Sequence, residues 1–379
     1  MKILFAADTS FNFIESGFSG NIMEQTAQCF RAADFSVLNL ENIFGKKEEH
    51  TPILKAGPNL ISDESLVEVI DVLNPTVVGL ANNHSRDFGD APMLQTKELL
   101  LQKGYQAIGV GKNLEEAYQP AILEKDGLKV AIIAACENEF GAADAKQAGT
   151  AGYQLGMVTK AIFDAKEAGA LPIIYFHGGN EINPLPSPRK KELYRHFIDL
   201  GAAAVIAMHT HCPQGNEYYR GSPIIYSMGN FFFPQKDMGN KAKSTWNIGY
   251  MTMLDISREG CKAELIPYSF DWDHHTLMSG EKKQAFLDYI EEISAPIADD
   301  ALLQQYFDGW SMMMGPKYLG YLSSSLDLEP GQLARLKNSF SCEAHNEMIG
   351  NYIKIHFEGR QEQAKEKIPQ IEQWQNKTF

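Results

Sequence analysis

Short uninterrupted apolar runs alternate with segments of helical period through about residue 270. Residues 1–7, 35–40, 76–80, 106–110, 171–176 and 202–208 are apolar stretches that each stop at polar or turn-forming residues, the pattern of buried strands. Between them, 21–33, 62–73, 91–103, 157–168 and 189–200 carry apolar residues at helical spacing. In 62–73, Leu66, Val69, Ile70 and Leu73 share one face and Ser62 is the expected N-cap. Strands alternating with helices predict an α/β fold. Two hairpin signals, Lys125-Asp126-Gly127 and Arg220-Gly221-Ser222, and the alternating stretches 247–256 and 262–270 add antiparallel strands, so the sheet system is mixed. Residues 111–120 predict a short helix and turn, and 141–152, rich in Ala and Gly, an exposed loop. Ser227-Met228-Gly229-Asn230 is expected to end a strand, with Phe231–Phe233 in the core.

After Asp273 the texture changes. Segments 280–293, 331–340, 341–357 and 361–375 are charged and helical in period, which divides the chain into an α/β domain, 1–272, and a helical C-terminal extension, 273–379. The extension shows no obvious chemistry, and His274, His275, His345 and His356 are expected to be structural or exposed.

At 379 residues and 44% hydrophobic content the chain has ample material for a packed core. A formal net charge of −14 and the absence of a basic block exclude a nucleic-acid or acidic-lipid surface, while leaving room for a local cationic pocket. The five cysteines are scattered without a C-x-x-C pair, so neither a disulfide framework nor a zinc ribbon is implied; Cys212, beside the histidines, packs or binds. The apolar run 3–7 is too short for a signal-peptide core, and no segment nears the roughly 18 apolar residues of a membrane span, so a cytoplasmic protein is expected.

Chemistry-bearing residues sit where the apolar runs stop: Asp8, Glu41, Asn83 with His84, His177, then His209 and His211. Ligands in open α/β sheets collect at the carboxyl ends of strands. Taken singly, each has a plainer reading: Asp8 as a turn cap, Asn82 or Asn83 as an Asx turn, and the His-x-His pair as hydrogen-bonded loop residues. Arg189 suits an anionic group or is a solvated arginine at a helix start, the helix being approached through Pro184, Pro186 and Pro188. Taken together, two carboxylates, an amide and several imidazoles form a mixed O and N donor set that suits two divalent ions, Mn, Fe or Zn, better than Mg or Ca. A shared carboxylate would hold such ions about 3.5 to 4 Å apart.

The strings Asn39-Leu40-Glu41, Ala81-Asn82-Asn83-His84, His177-Gly178-Gly179-Asn180-Glu181, His209-Thr210-His211 and Tyr226-Ser227-Met228-Gly229-Asn230-Phe231 stand in the order of the motifs of the CapA-type poly-γ-glutamate capsule-synthesis family, and the chain resembles that family over roughly residues 1–270. The family belongs with the calcineurin-like metallophosphatases. The resemblance implies a four-layer α/β/β/α sandwich with a two-metal centre: Asp8 and His211 on one ion, Asn83, His177 and His209 on the other, Glu41 bridging, and His84 placed to protonate a leaving oxygen. Glu181, Arg189, Ser227 and Asn230 are then candidate substrate contacts.

The chain departs from the pattern at Ala7, where the family usually has Gly, at Ala207-Met208, which replace a Gly-His pair, and at Asp8-Thr9-Ser10, which lacks the imidazole of Asp-x-His. Family members often carry an N-terminal membrane anchor, which is not expected here. The function expected is that of a metal-dependent hydrolase acting on a phosphoester or on an amide of a glutamate-containing polymer, with a small-molecule or polymeric anionic substrate and an open oligomeric state. The alternative is a non-catalytic assembly factor whose metal cleft holds carboxylates, and a third option gives the work to the helical region through a partner protein.

Overall fold

Successive side chains of the first strand, Lys2–Thr9, fall into two different cores, because a strand sends alternate residues to opposite faces. Ile3, Phe5 and Ala7 join a core shared with a second sheet, whereas Leu4 and Ala6 join one with Ala27 and Phe30 of the helix Glu24–Ala32 and Ile70 of the helix Val67–Leu73. The computed structural model describes residues 1–15, 18, 20–235, 244–324 and 329–379.

The first sheet has eight strands in the order His275–Leu277, Gly260–Phe270, Ile248–Ser257, Lys2–Thr9, Phe35–Leu40, Val77–Gly79 and Gln106–Ile108, with Asn230–Phe232 beside the end of Lys2–Thr9. The second has six, Asn216–Tyr219, Ser222–Ile225, Ala204–Met208, Ala170–His177, Leu128–Cys136 and Ala121–Lys125. Both are mixed: the two hairpin signals supply antiparallel pairs in the second sheet, and the alternating stretches 247–256 and 262–270 supply them in the first.

The sheets face each other. The Tyr175 hydroxyl, in the second sheet, donates to the Ala6 carbonyl of the first at 2.6 Å, and its ring lies 5.8 Å from that of Phe5. Gly79 permits this approach, since a Cβ there would come within 2.8 Å of the Tyr175 ring. Phe176, one residue on, points the other way and packs against Tyr194 and Phe197 of the helix Pro188–Asp199. Helices thus cover the outer face of each sheet, and the fold is the four-layer α/β/β/α sandwich. The same alternation returns the next residue, His177, to the cleft between the sheets.

The helical C-terminal region adds to this core. Phe286, Tyr289, Ile290 and Ile293 of the helix Gly280–Ser294 share one cluster with the second sheet, as does Trp374 of Ile368–Gln375. The longest helix, Asp300–Ser324, is not among the predicted elements. Gly309, Gly315, Pro316 and Gly320 interrupt its apolar pattern, and at Gly315 the reason is packing: a Cβ there would lie 2.1 Å from the Tyr352 ring on the helix Glu343–Phe357.

Four local expectations need correction. The cap before Val67–Leu73 is Asp63, whose side chain accepts from the Ser65 N–H, while Ser62 ends a two-residue strand. The run 106–110 breaks at Gly109, whose positive φ and tight approach to Ala81 start a separate strand, Val110–Gly111. That strand pairs with Gly149–Thr150, so 141–152 is an anchored segment with Ala143 and Ala151 buried and is exposed only at 144–147. Asn230 begins a strand, Asn230–Phe232, alongside Asp8.

Candidate metal centre

Both strand pairings of Asp8 are irregular: the register slips between Ala6 and Asp8 against Phe35–Leu40 and between Asp8 and Thr9 against Asn230–Phe232. Bulges of this kind re-aim a side chain. Asp8 Oδ1 accepts from Asn39 Nδ2 at 2.8 Å and lies 3.3 Å from His177 Nδ1; Oδ2 accepts from the backbone N–H of His209 at 2.8 Å. His209 and His211 both have left-handed backbone, φ 97° and 54°. Non-glycine residues are held there only where the surroundings over-determine them, at a cost of about 1–3 kcal/mol each. The effect is to turn both rings of the His-x-His motif into one cavity.

The imidazoles converge on Glu41. Its Oε1 lies 3.6 Å from His177 Nε2, 3.8 Å from His211 Nε2 and 4.0 Å from His84 Nε2. The carboxylate is fully buried, and neither oxygen has a hydrogen-bond partner among the described residues. His177 Nε2 also meets His209 Nδ1 at 3.0 Å and Asn83 Oδ1 at 3.1 Å. Two donor sets result, Asp8 with Glu41 and His211, and Glu41 with His177 and His209, each with its ligand atoms within 4.8 Å of one another, and Glu41 belongs to both.

The charges are balanced for a cation. Burial, reinforced by Asp8, Glu181 and Glu139, pushes the Glu41 carboxyl well above the usual range. Burial and the neighbouring His177 drive His209 well below an ordinary histidine; burial likewise lowers His177 against the pull of Asp8. Burial works upward on Asp8 too, but His177, His211 and the His209 N–H outweigh it and hold the carboxyl low. A buried unpartnered carboxylate beside neutral imidazoles is what a divalent ion would satisfy, so the residues fit the metal that the donor set implies.

His211 is oriented from behind: its Nδ1 faces Asn230 Oδ1 at 2.7 Å, and Asn230 Nδ2 donates to the Trp246 carbonyl. Asn230 therefore positions a candidate ligand. Ser227 is fully buried and accepts from the Gly229 N–H, and Arg189 pairs with Glu137 at 2.6 Å and Glu347 at 3.0 Å, so both are engaged by other residues. Glu181 lies on the exposed rim, close enough for its charge to raise Glu41 and Glu139.

His84 is backed by a pair that the sequence pattern does not single out. Its Nδ1 lies 2.7 Å from Asp87 Oδ2 and 3.0 Å from Lys55 Nζ, and Lys55 is ion-paired to Asp87 Oδ1 with both side chains buried. Burial, helped by Lys55 and opposed by Asp87, lowers the His84 imidazole to about 4. The i, i+3 spacing of His84 and Asp87 is a visible signal; Lys55 lies in an irregular stretch that offers none. Glu139 is the other unforeseen group, 3.9 Å from His209 Nε2. Of the remaining histidines, His275 is buried between Thr26 and the Phe231 carbonyl, and His274 is exposed.

Residues 13–235 match the family described as Bacterial capsule synthesis protein PGA_cap, more than half of the chain, and the protein belongs to that family. Among curated relatives, it is 27% identical over 218 residues to the PGA biosynthesis protein CapA of Bacillus subtilis, covering 57% of each chain. It is 29% identical over 189 residues to the capsule biosynthesis protein CapA of Bacillus anthracis, covering 48% of this chain and 46% of that one. The chain thus spans about half the length of these relatives. Similar solved structures include a phosphatase of Mycoplasma pneumoniae (TM-score 0.44, 13% identity, 70% of this chain and 92% of that one) and the NAD nucleotidase NadN of Haemophilus influenzae (TM-score 0.42, 14% identity, 77% and 56%). No helix among the described residues is long and apolar enough to cross a membrane.

Proposed function

We propose that the protein is a metal-dependent hydrolase of capsule or polyglutamate metabolism, acting on a phosphoester or on an amide of a glutamate-containing polymer. The observation that carries this reading is Glu41: a fully buried carboxylate with no hydrogen-bond partner among the described residues, shared by two sets of nitrogen and oxygen donors. Asp8 and His211 would hold one divalent ion, and Asn83, His177 and His209 the other, with Glu41 between them. Bound ions of the Mn, Fe or Zn type would supply Lewis-acid activation of water and neutralise charge developing on the substrate.

The chain's own groups do the rest. Lys55, held by Asp87, donates to His84 Nδ1, so the neutral ring that burial favours carries its proton on Nε2, which faces Glu41 and is placed to hand that proton to a leaving oxygen. Asn230 fixes His211 from behind, and Asn39 with the His209 N–H fixes both oxygens of Asp8. Glu181, on the rim, disfavours a second negative charge beside it and would select how an anionic substrate enters.

A second reading, carboxylate binding without turnover, draws support from Ser10, which stands where Asp-x-His would place an imidazole. The purified chain loaded with Mn or Zn is expected to hydrolyse a generic phosphodiester or a γ-glutamyl amide, and a His209→Ala, His211→Ala double variant to lose that activity. Unchanged activity in the variant would overturn the hydrolase; polymer binding without turnover at saturating metal would favour the second reading.

A further inference from the structure

Three consecutive residues beyond the strand Leu128–Cys136 are each held by the C-terminal helices. Cys342 Sγ lies 3.8 Å from Glu137 Oε2. Glu343, at the start of Glu343–Phe357, accepts from the Asn138 backbone N–H at 3.0 Å and from its Nδ2 at 2.6 Å. Asn338, buried in the helix Pro330–Ser341, donates to Glu139 Oε2 at 3.2 Å. Glu139, with its side chain 10% exposed, is an awkward residue to bury. What the grip achieves is positional: Glu139 Oε1 is left 3.9 Å from His209 Nε2.

That nitrogen is the one turned away from the cluster, since His209 Nδ1 is the atom that meets His177 Nε2. An imidazole offering Nδ1 to an ion carries its proton on Nε2, and metal-bound histidines usually give that proton to a carboxylate or carbonyl, which fixes the ring and raises ligand basicity. We infer that Glu139, held in place by Asn338 and Glu343, is the outer partner of His209, so that the C-terminal helices set the affinity of the ion on the Asn83, His177 and His209 side.

This rests on the metal reading given above, and it gives the helical region a part in the site that its sequence does not advertise. Glu139 and Asn338 are positioning residues that act through His209. Because coupling of this kind is reciprocal, an ion at His209 should in turn steady the helix that holds Glu139.

The test uses the full chain, freed of metal and titrated calorimetrically with Mn²⁺, alongside Glu139→Gln and Asn338→Ala. Each variant is expected to weaken Mn²⁺ binding roughly 10- to 100-fold, the usual cost of losing an outer-sphere partner. Hydrogen exchange supplies the second readout: Mn²⁺ should slow exchange in Pro330–Ser341 of the wild type and leave it unchanged in Glu139→Gln. A merely structural role for these residues would lower thermal stability and keep both the affinity and the exchange response. Wild-type binding with variant affinities within threefold of it would overturn the inference alone. A wild type that binds no Mn²⁺ or Zn²⁺ at millimolar concentration would overturn the metal reading together with it.

Discussion

The backbone N–H of His209 donates to Asp8 Oδ2 at 2.8 Å, joining the tip of the first strand of one sheet to the turn that follows Ala204–Met208 in the other. The bond sets the separation of two candidate ligands from different layers, so Asp8 has both a structural and a chemical part. Asp8→Asn keeps an acceptor for that N–H and removes the ligand charge. It is expected to fold and to bind one divalent ion where the wild type binds two, with hydrolysis reduced at least about 100-fold, since the remaining ion lacks its partner across the reacting group. Metal stoichiometry by elemental analysis checks this.

Glu41 gives a pH dependence. Its folded-state carboxyl is raised well above the ordinary value by burial and by Asp8, Glu181 and Glu139, so the folded metal-free chain binds a proton that the unfolded chain releases. Its contribution to stability is present below the unfolded value and is lost as pH rises through the folded one. Glu139, raised to about 7 by burial and Glu181, adds a loss between roughly pH 4.5 and 7. The depressed His84, His177 and His209 act in the opposite sense over the same range, so the test is a difference: between pH 5 and 8, urea unfolding of the metal-free proteins should show the wild type losing more than about 1 kcal/mol relative to Glu41→Gln. Saturating metal should remove most of it. Parallel profiles for the two proteins without metal would contradict the charge balance described for the cleft.

Lys55 is expected to act through His84. With both partners buried, Lys55→Met leaves Asp87 without its cation, a change that costs on the order of 3 kcal/mol at such sites. Adding Asp87→Asn should recover much of the stability and none of the turnover. The ions should remain bound in both variants, which separates a lesion behind the proton donor from a lesion in the cluster.

Asn230→Ala should release the Nδ1 side of His211, whose hydrogen bond to Asn230 fixes the ring. A 10- to 100-fold loss of metal affinity with unchanged secondary structure is expected. Ser227→Ala is the internal comparison, since the Ser227 hydroxyl accepts from the neighbouring Gly229 N–H, and it should leave metal affinity within threefold of wild type.

How much of this was legible beforehand depended on what kind of residue carried the signal. Asp8, Glu41, His177, His209 and His211 each follow an apolar run, and strand periodicity alone puts them at the same end of two sheets. Asn83 and His84 follow the third run in the same way. Asn230 is visible as part of a motif, yet the sequence places a strand end where its strand begins, because a three-residue strand between two aromatic-rich segments has too few positions to show a period. Lys55, Glu139 and Asn338 matter through contacts between segments 29 to 199 positions apart, and no local pattern encodes a pairing of that range. The helix Asp300–Ser324 is hidden for a related reason: Gly315, one of the glycines that break its pattern, answers to Tyr352 on another helix.

The most direct test of the two-ion site is diffraction from crystals of the Mn²⁺- or Zn²⁺-loaded protein at the metal absorption edge. Two anomalous peaks about 3.5 to 4 Å apart are expected, with Glu41 reaching both, Asp8 and His211 on one, and Asn83, His177 and His209 on the other. A single peak away from Glu41, or a loaded crystal with no peak in the cleft, would contradict it.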